Sequence, residues 1–137
     1  MTREIKFRAW ERGGKVMIDW LTMTHTAFND KQMGGYGFLY RVMTGRPEMD
    51  VMQFTGLKDK NGKEIYEADI IKVGTRSELN GLLYSDLGFV IFSENVAAFG
   101  VEIPDGQEGS VTWPISHFVL NEFEVIGNIY ENPELLQ

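Results

Sequence analysis

The sequence predicts a mainly β protein built from two small units. Its 137 residues hold 15 glycines and 17 aromatic residues (3 Trp, 5 Tyr, 9 Phe), a composition that favours short strands and turns over long helices. The apolar runs are short and separated by turn-forming residues. Charge also divides the chain. All 13 Lys and Arg lie between Arg3 and Arg76, whereas residues 77–137 hold ten Asp and Glu and no Lys or Arg. The overall charge of −7 therefore hides a mildly basic part and a strongly acidic one.

Glu4 to Trp10 alternates with the period of a half-buried strand, Ile5, Phe7 and Ala9 facing one way and Lys6, Arg8 and Trp10 the other. Glu11 to Lys15 contains Gly13-Gly14 and reads as a turn, and Val16 to Trp20 as the return strand of a hairpin. Leu21 to Gly35 is rich in Thr, Asn and Asp and reads as a long loop, with at most a helical turn around Phe28 to Met33. Tyr36 to Met43 is the next strand, broken by Thr44-Gly45-Arg46-Pro47. A further strand runs from Glu48 or Met49 to Phe54.

Val51 to Val73 is the hinge of the reading. Asn61-Gly62 is a strong hairpin signal, expected as a type I′ turn with positive φ at both residues. Asp69 is expected to fold its carboxylate onto nearby backbone N–H groups and fix a bend into the strand Ile70 to Val73. Glu78 to Leu82 is another turn. Gly88 to Ser93 and Ala97 to Ile103 form an antiparallel hairpin, Pro104 to Gly109 a loop, Val111 to Trp113 a short strand and Ile115 to Leu120 a helical turn. Phe123 to Tyr130 is the last strand. Asn132-Pro133-Glu134 then has the N-cap, first-turn proline and acidic residue of a short terminal helix.

From Gly62 onward, about five short strands have the rhythm of a small SH3-like barrel. The earlier strands supply an N-terminal β-hairpin or small sheet packed with it. The units are placed at 1–56 and 57–137. The absence of cysteine removes disulfides and thiolate metal sites and suits a reducing cytoplasm. The N-terminus lacks the apolar stretch of a signal peptide, and no run reaches the ~20 residues of a membrane helix.

Three segments carry a resemblance. FTGLKDKNGKEIYEADIIKV (Phe54–Val73), FEVIGNIYENPELL (Phe123–Leu136) and REIKFRAW (Arg3–Trp10) resemble, in order, the signatures of the YopX family of bacteriophage and prophage proteins. The resemblance spans nearly the whole chain. It implies an intracellular phage protein of no established activity with an SH3-like portion, and supplies no catalytic residues. One departure is Ala68, where the pattern usually has glycine.

The remaining chemistry is thin. His25 with Asp19 and Asp30, and His117 separately, fall short of the three or four ligands of a zinc site. Ser77, Ser85, Ser93, Ser110 and Ser116 lie in no nucleophile elbow, and Ser116 and His117 are adjacent in the chain, where strand neighbours would face apart. Gly34-Gly35-Tyr36-Gly37 lacks the spacing of a phosphate loop. Glu64, Glu67 and Asp69, like Glu122 and Glu124, read as surface charge or turn chemistry. The sequence thus points to a non-enzymatic protein without cofactor that self-associates or binds a host or phage protein. Trp10, Arg8, Lys6 and Arg12 are the candidate interface, and Asn61, Gly62 and Asp69 the structural turn. The alternative is weak nucleic-acid binding through the basic N-terminal hairpin, with Lys58, Lys60 and Lys63 adding a basic loop.

Overall fold

The computed structural model describes residues 2–29, 48–73, 87–104, 109–117 and 122–137. The expected strand Tyr36–Met43, the turns at Thr44–Pro47 and Glu78–Leu82, and the run Gly34-Gly35-Tyr36-Gly37 lie outside these residues. The chain is mainly β and divides into two compact units, Met1–Phe54 and Thr55–Gln137, two residues earlier than the sequence boundary.

In the first unit, β1 (Phe7–Glu11) pairs antiparallel with β2 (Val16–Ile18), and Ala9 stands opposite Ile18. The turn between them is tied by the Glu11 carboxylate, which accepts from the backbone N–H groups of Gly13 and Gly14. On its other side β1 pairs with β3 (Met49–Lys58), setting Ala9 opposite Val51 and Trp10 opposite Asp50. The segment expected as a loop begins with a helix, α1 (Trp20–Asn29). Asp19 starts it, its carboxylate accepting from Thr22 N–H at 2.7 Å, which holds the Asp19 pKa below its ordinary value. Trp20 and Met23 of this helix pack on Ala9 with Ile18 and Met49, and the Phe7 and Trp20 rings lie 6.1 Å apart. Helix burial of Met23 over the small Ala9 outweighs the poor helix propensity of a Thr-rich segment.

β3 carries the chain from one unit to the next, in a sheet of order β2-β1-β3-β4. Gly56, at φ +86°, interrupts the alternation of β3, after which Leu57 turns into the core of the second unit. β4 (Glu64–Tyr66) and β5 (Asp69–Lys72) follow, then β6 (Leu87–Ser93), β7 (Ala98–Pro104), β8 (Ser110–Pro114) and β9 (Glu124–Asn128). The five-stranded sheet has order β8-β7-β6-β5-β9, antiparallel throughout, and curls into the half-barrel of an SH3-like fold. A bulge between β5 and β9 leaves Ile126 unpaired between Gly127 (opposite Ile70) and Val125 (opposite Ile71), which adds to the curl. Ile65, Ile71, Val90, Val101, Ile103, Phe123 and Val125 fill the inside. A short 3-10 turn, Ile115–His117, follows β8, and another, Pro133–Leu136, closes the chain. Asn132 stands at the cap position of the latter without capping it; its Oδ1 accepts from Asn128 N–H at 3.3 Å instead.

The turn after β3 differs from the expected type I′. Gly62 has φ +81°, but Asn61 does not have positive φ. Gly62 N–H donates to Asp59 O at 3.0 Å and Asp59 N–H to Lys63 O at 2.8 Å, as in a three-residue loop that ends in a left-handed glycine. The organiser is Asp59, which is buried. Its Oδ1 accepts from Asn61 N–H (2.8 Å) and Lys63 N–H (2.9 Å), and its Oδ2 from Val125 N–H on β9 (2.9 Å). Lys60 N–H adds a bond to Phe123 O at 2.9 Å. Burial alone would raise the Asp59 pKa. The three N–H groups and the Lys63 charge outweigh it and hold the carboxyl below its ordinary 3.8.

Two outcomes follow from this turn. Asp59→Asn places an amide against N–H donors and should cost roughly 2–4 kcal/mol in urea unfolding. Because the folded pKa is depressed, the Asp59 contribution is present above the ordinary pKa of 3.8 and is lost as pH falls through the lower folded value. The variant should therefore lose stability less steeply than the wild type over that acid range, and an unchanged slope would contradict the assignment. Gly62→Val forces a branched residue into positive φ and should cost about 1–2 kcal/mol, although a Cβ there meets no atom within 4 Å. Lys60→Ala removes only an exposed 3.0 Å pair with Glu124, worth under about 1 kcal/mol. Equal melting temperatures for these two variants would refute the turn geometry.

Candidate interaction surfaces

Lys6, Arg8, Trp10 and Arg12 do fall on one side of β1, as their alternation requires, but the surface they form is not the open one expected. Directly paired residues share a face, so Trp10 stands with Met17 and Asp50, and Arg8 with Met52. Met52 and Phe54 are buried, and Arg8 and Trp10 are half-buried. The Lys6 side chain is only 14% exposed; its Nζ lies 3.2 Å from Glu4 Oε1 and 4.8 Å from the centre of the Phe54 ring. Arg12 extends beyond the strand and grips Asp50 with two nitrogens, Nε to Oδ2 at 2.8 Å and Nη2 to Oδ1. The hydrogen bonds from Arg12 hold the Asp50 carboxyl below its ordinary range, against the effect of partial burial.

Asn61 and Gly62 sit in the exposed turn that Asp59 organises. Asp69 is almost wholly buried, and its Oδ2 accepts from Tyr66 N–H at 2.8 Å, closing the bend between β4 and β5. Ala68, within that bend, has φ +69°, the left-handed region that explains why the related pattern carries glycine. Its N–H donates to Val90 O (2.8 Å) and its carbonyl accepts from Ile129 N–H (2.9 Å), so the strained residue is held by strands on both sides. These residues bring no reactive groups together. Among the described residues no three His, Asp or Glu side chains gather to hold a metal ion, and no helix is long and apolar enough to cross a membrane. The side chains of His25 and His117, and Asp30, lie outside the described residues.

The open apolar surfaces are elsewhere. In the first unit Ile5, Val16, Leu21 and Val51 are exposed, Val16 by 51% at the end of the β1–β2 hairpin, beside the exposed Lys15. In the second unit the β6–β7 hairpin ends in Phe92 (44% exposed) and Val96 (61%), with Glu94 between them. Phe92 pairs across the strands with Phe99, edge to face at 5.4 Å, on the side that continues Val90 and Val101 of the core. The sequence signal for this end was present in Phe92, Val96 and Phe99, but alternation alone places Phe92 and Phe99 in the core.

The family model described as "YopX protein" matches residues 6–137. No curated protein matches the chain. Among solved structures, it is similar to the crystal structure of protein EF1440 from Enterococcus faecalis, with 25% identity and a TM-score of 0.59 over 99% of this chain and 100% of that one.

Arg12 and Asp50 should couple by about 0.5–1 kcal/mol in a double-mutant cycle of Arg12→Ala and Asp50→Ala, read from urea unfolding and shrinking in high salt. Strict additivity would show that the two-pronged grip adds nothing to the sheet.

Proposed function

The chain belongs to the YopX family, and on that premise we propose that it is a non-enzymatic phage or prophage protein acting as a β-rich protein-interaction module. The observation that carries this reading is the exposed apolar end of the β6–β7 hairpin. Phe92 continues the line of the core into solvent and Val96 stands exposed in the adjoining turn, where their burial awaits a partner surface. Large apolar side chains flanked by a charged residue make the centre and rim of an interface. The acidic composition after Arg76 favours a partner surface with positive charge. Nucleic-acid binding through β1 is the weaker reading, since Lys6 and Arg12 are engaged with Glu4 and Asp50 and the net charge of −7 opposes a phosphate backbone.

A photo-crosslinking phenylalanine analogue at position 92 tests the module directly. In producing cells it should give discrete protein adducts, whereas the same analogue at the exposed Thr112 should not. Adducts to nucleic acid alone, or none at position 92, would overturn the reading.

A further inference from the structure

We propose that Asn61 is a site of spontaneous covalent modification, deamidation through a cyclic imide, and that the hydrogen bonds of the Asp59 turn hold the reaction back while β9 is in place. Asn61-Gly62 has the chemistry the reaction needs. The Gly62 main-chain nitrogen loses its proton to solvent base and attacks Asn61 Cγ. An N–Cγ bond forms, the Cγ–Nδ2 bond breaks and ammonia leaves, closing a five-membered ring. Water then opens the ring at Cγ, giving aspartate, or at the Asn61 main-chain carbonyl, giving isoaspartate. Glycine on the attacking side presents no Cβ to hinder the approach. Asn61 and Gly62 are both exposed, and no atom lies within 4 Å of where a Gly62 Cβ would stand.

The closed turn opposes this attack. Gly62 N–H donates to Asp59 O at 3.0 Å, so the proton that must leave is engaged. Asn61 N–H is held by Asp59 Oδ1 at 2.8 Å, and the same oxygen accepts from Lys63 N–H at 2.9 Å, which fixes the main chain on either side of the reacting pair. These bonds share their anchor with β9. Asp59 Oδ2 accepts from Val125 N–H at 2.9 Å, and Lys60 N–H donates to Phe123 O at 2.9 Å. The attack therefore waits for the turn to open, and its rate is the open fraction multiplied by the rate of a free chain. Isoaspartate adds one carbon to the main chain between Asp59 and Lys63. The lengthened loop no longer presents both N–H groups to one carboxylate oxygen. Each opening that ends in reaction is thus recorded irreversibly, and it weakens the hold of the turn on β9.

Incubation of the full chain at mildly alkaline pH, followed by peptide mass mapping, tests the assignment. The folded chain should deamidate at Asn61 at least about tenfold more slowly than the chain unfolded in urea. In urea Asn61 should react at the same rate as Asn80, which also precedes a glycine and lies outside the described residues. Hydrogen exchange of Gly62 N–H and deamidation of Asn61 should rise together as urea increases below the unfolding transition. Asp59→Asn should raise the folded rate by about tenfold or more. It should also exceed Val90→Ala brought to the same stability with urea, since that variant weakens the core and leaves the turn bonded. The isoaspartate form, separated by its added charge, should melt below Asn61→Asp, which keeps the normal main chain. Equal rates at Asn61 in the folded and unfolded chains would overturn the proposal, as would Asp59→Asn behaving like matched Val90→Ala or an isoaspartate form as stable as Asn61→Asp. Should Asp59→Asn fail to fold, the wild-type comparison decides: deamidation that does not follow Gly62 exchange refutes control by the turn.

Discussion

The Asp59 carboxylate is the fixed point of the second unit. It takes two N–H groups of its own turn and one from β9, a strand 66 residues further along. A buried carboxylate that lost these donors would carry an uncompensated charge, so the turn and β9 hold one another in place. The bend at Ala68 and Asp69 completes the arrangement. Asp69 closes the backbone of β4 onto β5, and Ala68 bonds to β6 through Val90 and to the end of β9 through Ile129. Two short acidic side chains thereby align strands that local propensity alone would leave in loose register.

Much of this was legible in the sequence. The alternation from Glu4 to Trp10, the paired runs around Ser93-Glu94-Asn95 and the apolar run in Phe123–Tyr130 each describe strands that are present. α1 was not legible. Trp20–Asn29 has three threonines and an apolar stripe set by only a few residues, and Thr24 bonds back to the carbonyls of Trp20 and Leu21. The available signal was Asp19 followed three positions later by Thr22, a plain N-cap. Asp59 was overlooked for a different reason. Asn61-Gly62 accounts for a reversal by itself, and no local pattern announces that a carboxylate will receive an N–H from Val125.

The surfaces were less legible than the fold. Period-2 alternation says which residues share a side of β1 but not which side is covered, since both sides of this sheet bear buried residues, Ala9 on one and Met52 on the other. Lys6, Arg8 and Trp10 therefore looked open and are half-buried, whereas Arg12 is exposed but held by Asp50. Phe92 and Phe99 carry the pattern of interior residues. Phe92 emerges into solvent, with Phe99 half-buried against it, because β6 and β7 run beyond the core that Val90 and Val101 enclose.

The strand order also governs how the second unit is made. β9 is the last strand in the chain, yet it pairs with β5, the earliest strand of the five-stranded sheet. As the polypeptide leaves the ribosome, β5 must wait with one backbone edge unpaired while β6, β7 and β8 are synthesised. Its Ile70 and Ile71, both wholly buried in the finished protein, are apolar on opposite sides of the strand. The nascent half-barrel therefore passes through an interval in which its most adhesive strand is open to other chains, and only the emergence of residues 124–128 ends it.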